Sequence, residues 1–108
     1  MENVYKAIDA VIDCIISSKD YQMCISLQEQ MKDNQEIMEA IQQVKKLQKK
    51  YIRSGYDTSI KQELDQCTQS LMEIPIYHLY QDSLEKVNEM ICFVKESLND
   101  YFSDKLNS

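Results

Sequence analysis

The chain has 108 residues, a net charge of -6, and 44% apolar against 28% charged residues, the profile of a single folded domain. One glycine, one proline and one arginine in that length leave little material for sheet corners and tight turns, and too little positive charge for a reader of duplex DNA. What these counts leave is an all-α chain without direct DNA binding, read as one domain over residues 1–108, since no repeat, low-complexity run or Gly/Ser linker divides it.

The first segment, MENVYKAIDAVIDCIISSKD, places Val4, Ile8, Val11 and Ile15 at helical spacing, widened by Ala7, Ile12 and Ile16. Asp9 and Asp13 interrupt any apolar core of a secretory signal, and no small-residue cleavage site follows. The segment is expected to be a helix ending near Ser17, in a cytoplasmic protein. Nowhere does an apolar run approach the roughly 20 residues of a membrane span, so direct membrane insertion is not expected.

Ser18 is placed to cap a second, shorter helix with Asp20 in its first turn and an inward face of Tyr21, Cys24, Leu27 or Gln28, and Met31. Asp33 followed by Glu36 reads as a capping box opening a third helix, whose inner face carries Ile37, Ile41, Val44, Leu47 or Gln48, and Tyr51. Gly55 supplies the left-handed stop, and Asp57 or Thr58 the next cap. The fourth helix shows an apolar seam of Ile60, Leu64, Cys67, Leu71 and Ile74. Pro75 lacks an amide hydrogen, disfavours a helical Ile74 and suits a first helical turn, so one helix should break there and another begin.

From Pro75 to about Lys105, Tyr77, Tyr80, Leu84, Val87, Ile91, Val94, Leu98 and Tyr101 alternate steps of three and four, a heptad stripe. A helix of that extent would be about 45 Å long, against about 35 Å for the diameter of a compact globule of this size. It would overhang its own subunit. The flanking Gln81, Ser83, Asn88, Met90, Lys95 and Ser97 are not the charged flanks of a two-stranded zipper, and Ile76, Leu79, Met90 and Phe93 form a second partial stripe. About five helices in a dimeric bundle fit this pattern, with the long stripe as dimer or partner interface.

Chemistry-bearing residues are sparse. Cys14, Cys24, Cys67 and Cys92 form neither a CxxC pair nor a zinc pattern and read as reduced thiols. His78 is the sole histidine; Asp82 lies four residues on, but no nucleophile, phosphate loop or metal-binding motif accompanies them. Glu36 with Glu39, and Glu85 with Glu89, read as solvated carboxylates. No catalytic residue, metal ligand or cofactor is assigned, and no enzyme activity is expected. The basic run VKKLQKKYIR aligns Lys45, Lys46, Lys49, Lys50 and Arg53 largely along one helical stripe, which is either a solvated face or a contact for RNA or an acidic partner.

The order Ser18-x-x-Tyr21, then DNQEIMEAIQQVKKLQKKY, then LMEIPIYHLYQDSLEKVNEMICFV resembles the YlbF/YmcA family of small helical proteins from Gram-positive bacteria, most closely its YmcA branch. The most specific piece is EIP, containing Ile74 and Pro75, followed by Tyr80, Ser83, Val87 and Asn88. The resemblance spans nearly the whole chain and implies an intertwined homodimer of helical subunits. It also implies a non-catalytic adaptor that acts with sister proteins to adjust mRNA processing by the endoribonuclease RNase Y, and that supports competence, sporulation and biofilm formation. Some relatives carry a cysteine-bearing carboxy-terminal tail associated with Fe–S binding; this sequence shows none, and a cluster is not carried over. The alternatives are a YheA-like helical dimer of other function, or a redox or Fe–S accessory using Cys14, Cys24 and Cys92.

Overall fold

A computed structural model describes residues 1–107. The chain forms five helices, α1 (Glu2–Ile16), α2 (Lys19–Lys32), α3 (Gln35–Arg53), α4 (Thr58–Met72) and α5 (Pro75–Asn107), with no strand among the described residues. The all-α class and the long final helix follow from the scarcity of glycine and proline and from the heptad stripe. At 33 residues, α5 is about 50 Å long.

Each boundary has a local cause. The Ser18 hydroxyl accepts from the Tyr21 N–H at 3.2 Å and donates to the Ile15 carbonyl at 2.6 Å, so one side chain caps α2 and satisfies an end carbonyl of α1. Gln22 Nε2 reinforces the junction by donating to the Ile16 carbonyl at 2.7 Å. The cap of α3 departs from expectation: Asn34, not Asp33, holds the extended conformation and accepts from the Ile37 N–H at 3.1 Å. In the run DNQE both residues are good caps, and the register that turns Ile37 inward selects the second. Asp57 caps α4, accepting from Ser59 and Ile60. Pro75 is the first residue of α5, and the Ile74 carbonyl accepts from the His78 N–H at 3.0 Å.

The turn between α3 and α4 is closed by two backbone bonds, Gly55 N–H to the Ile52 carbonyl and Tyr56 N–H to the Tyr51 carbonyl. Gly55 has φ +75°, as expected of its stop role. Tyr56 also takes a left-handed φ, +68°, which sequence reasoning does not assign to it. Its ring packs edge-on against Tyr51, centroids 5.3 Å apart, the apolar contact that commonly accompanies this closure.

The chain divides into two compact units, the boundaries falling inside α2 and α5: one comprises residues 26–81, the other residues 1–25 with the chain from Asp82 onward. In the first, α3 and α4 pack against each other as an antiparallel hairpin. Met31, Ile37 and Leu71 form its buried centre, flanked by Ala40, Ile41, Val44, Ile74, Ile76, Tyr77 and Tyr80. The inward faces expected of α2, α3 and α4 are thus the observed ones, with Leu27 and Leu47 buried and the alternatives Gln28 and Gln48 exposed. In the second unit the buried residues are Cys24, Ser83 and Val87, and α1 contributes none.

Candidate functional site

The stripe residues of α5 divide into two groups. Tyr77 and Tyr80 pack on the Met31–Ile37–Leu71 centre, their rings 6.4 Å apart, and Gln81 Nε2 donates to Tyr77 Oη at 2.9 Å. Leu84 and Val94 are half-buried and Val87 is buried. Ile91, Leu98 and Tyr101 are 47%, 54% and 57% exposed, and Phe93, Phe102 and Leu106 beside them are also open. The carboxy-terminal half of the stripe therefore keeps the pattern of a core face with no covering element among the described residues.

The same holds for α1. Val4, Ile8, Val11, Ile12 and Ile16 are all exposed, with Ile8 at 48%, and only Ile15 is half-buried. The spacing that predicts the helix does not reveal that its apolar face stays open. Contiguous apolar surface of this kind marks an interaction site in a soluble protein.

The other signature positions serve the architecture. Ser18 and Tyr21 form the α1–α2 clip, and Ile74 and Pro75 the α4–α5 break. Ser83 is buried without leaving an unsatisfied side-chain oxygen. Asn88 is exposed.

Within residues 26–81 lies an open groove of about 640 Å³ between the start of α3 and the end of α4, which sequence reasoning does not foresee. Ile37, Ala40, Leu71 and Ile74 supply its apolar wall, Cys67 sits among them, and Glu36, Gln43 and Gln66 edge it. Its lining holds no histidine.

The four cysteines are free thiols, Cys14 and Cys92 exposed, Cys67 half-buried and Cys24 buried. Burial pushes the Cys24 thiol above its ordinary pKa, which keeps it protonated and unreactive. Among the described residues no three His, Cys, Asp or Glu side chains are grouped to hold a metal ion, and no helix is long and apolar enough to cross a membrane. His78 lies exposed on the first turns of α5.

The basic stripe is fully displayed. Lys45, Lys46, Lys49, Lys50 and Arg53 are exposed on the side of α3 opposite its buried Ile37 and Leu47, and none forms an ion pair with a described residue.

No curated protein and no solved structure matches the chain. The sequence pattern of a family described as control of competence regulator ComK, YlbF/YmcA, matches residues 4–101, from α1 to the last turns of α5. That match covers the Ser18 clip, the Pro75 break and the stripe together, in a regulatory family not known for enzymes. The chain is therefore a member of the YlbF/YmcA family.

Proposed function

We propose that the protein is a non-catalytic helical adaptor that works as a homodimer, and that it modulates RNase Y-dependent mRNA processing together with sister proteins of its family, as the YmcA branch is expected to do. Competence, sporulation and biofilm development would be the processes affected. The observation that carries the reading is the open apolar face of α1 and of the distal half of α5, in a member of a family described as controlling a competence regulator. A regulator that acts through contact needs surface of this kind, and a second copy is the simplest source of the missing cover. The dimer interface on α5 would comprise Leu84, Ile91, Val94, Leu98 and Tyr101, with Tyr77, Tyr80 and the buried Val87 held in the packing of their own chain.

The homodimer is tested by light scattering at micromolar concentration, where a species of 12.7 kDa would refute it. The adaptor role is tested with purified endoribonuclease and purified sister proteins. Retention of this chain on the immobilised endoribonuclease, and a changed pattern of transcript cleavage when it is added, are the expected results. Cleavage unaltered by the chain, alone and with its sister proteins, would refute the role.

A further inference from the structure

Given the homodimer proposed above, on which this rests, we propose that α1 of each copy seats on the distal half of α5 of the other, in two reciprocal seams. The chain exposes 8630 Å², whereas a closed monomer of 12.7 kDa exposes about 6,200 Å². The surplus of about 2,400 Å² per chain, about 4,800 Å² for a pair, falls among obligate homodimer interfaces, about 2,000 to 5,000 Å². Two helix faces supply open apolar surface: α1 buries nothing, and from Ile91 onward the stripe of α5 is exposed except for the half-buried Val94. They match in length, since the 15 residues of α1 and the stretch from Ile91 to Leu106 each span about 22 Å. A two-fold axis makes both seams at once, because when one surface of the first copy meets a different surface of the second, the second returns the same contact.

Charge selects this exchange over like helix meeting like. On α1, Glu2, Asp9 and Asp13 follow at steps of seven and four, so they form one row, at the edge of the apolar face beside Tyr5, Ile12 and Ile16. Lys6, the single lysine of the helix, lies on the far side of that row. On α5, Lys95 stands four after Ile91 and three before Leu98, against the stripe, and Lys105 takes the stripe's next place, four after Tyr101. Lys105 lies over the Tyr101 ring at 5.7 Å, within the same face. All six carboxylates of α5, from Asp82 to Asp104, centre on the opposite side of the helix. Packing α5 on α5 therefore gives these lysines no carboxylate, and packing α1 on α1 gives its acid row no counter-charge. The exchange sets the row along the lysines. Glu2 and Asp13 are about 16 Å apart in rise, Lys95 and Lys105 about 15 Å. Glu2, Asp9, Asp13 and Lys95 are exposed, and none forms an ion pair with a described residue.

The test is a charge swap in the full chain, read by sedimentation across a concentration series at low salt. Asp9→Lys/Asp13→Lys and Lys95→Glu/Lys105→Glu should each weaken the homodimer at least about tenfold, because both seams then set like charges together. An equimolar mixture of the two variants should recover the wild-type affinity within about threefold. In the mixed dimer the reversed α1 of one chain meets the reversed α5 of the other, and the second seam is wild type. A chain carrying all four changes should dimerise with itself equally well. Should either variant lose helicity alone, its recovery in the mixture is the same expected result, and no recovery the same refutation. Variants that dimerise like the wild type would overturn the proposal. So would a mixture no tighter than its components beside a restored four-change chain, which places the contact within one chain. Tighter association of the wild type with Lys95→Glu/Lys105→Glu than with itself would show α5 on α5 and overturn it too. A wild-type chain that sediments at 12.7 kDa strikes the homodimer and this pairing together, whereas a dimeric wild type whose mixture fails strikes the pairing alone.

Discussion

Residues 26–81 and the remaining unit are built from the same kind of amphipathic helix, yet one closes over its apolar faces and the other leaves them open. In the first, Leu71 is 2% exposed and Met31 and Ile37 3% each, with half-buried neighbours on α3, on α5 and at Ile74 between α4 and α5. In the second, α1 repeats the apolar spacing more richly than α4 and buries nothing. An amphipathic pattern therefore specifies a helix and the face that needs cover; it does not say whether the cover belongs to the same molecule.

The contrast can be broken or sharpened by substitution. Leu71→Ala empties the closed core and should destabilise the protein by about 2–5 kcal/mol in urea unfolding; a cost near zero would mean that residues 26–81 have no packed centre. Next in size are Ile8→Asp and Ile91→Asp. In an isolated chain these open positions should tolerate the change within about 0.5 kcal/mol, whereas in a homodimer each carboxylate would be buried without a counter-ion and dissociation should rise at least about a hundredfold. Sedimentation across a concentration series distinguishes the two, and an unaffected dimer would remove these faces from the interface.

Smaller effects probe the local rules. Asn34→Ala should cost about 1 kcal/mol through loss of the α3 cap, while Asp33→Ala, one residue earlier, should be close to neutral; the reverse order would restore the capping box. The least effect concerns Cys24. Its raised pKa means that the folded chain keeps a thiol proton which the unfolded chain releases above about pH 8.5. Stability should be independent of this group below that pH and decline above it, and Cys24→Ala should abolish the decline. Unchanged pH dependence in the variant would place the thiol in a more open setting.

Legibility in the sequence follows the range of the interaction. The helix ends at Ser18, Gly55, Asp57 and Pro75 are set by residues within four positions of one another, and each is readable. Asn34 is the exception because its rival is adjacent: the choice between two good caps is made by which register buries Ile37, a tertiary matter. Tyr56 escapes detection for a related reason. A left-handed tyrosine carries no signature of its own, only the consequence of a Gly55 turn that directs a second backbone bond to Tyr51. The core of residues 26–81 is readable from periodicity on four helices at once. The openness of α1 and of the distal part of α5 is not, since Ile8 and Ile41 look alike in sequence and differ in what lies opposite. The groove beside Cys67 likewise depends on how α3 and α4 are placed against each other, which no spacing encodes.

The tight closure at Gly55 and Tyr56 sets a timetable for biosynthesis. Its hairpin joins stretches that lie close along the chain, so little entropy opposes their meeting. Helical structures with such local contacts form within about microseconds to milliseconds, far ahead of a ribosome adding roughly 5–20 residues per second. The hairpin is thus finished while α5 is still being translated, and α1, already synthesised by then, stays bare in the meantime. For a nascent chain, the Val4 to Ile16 face is the segment a chaperone would find.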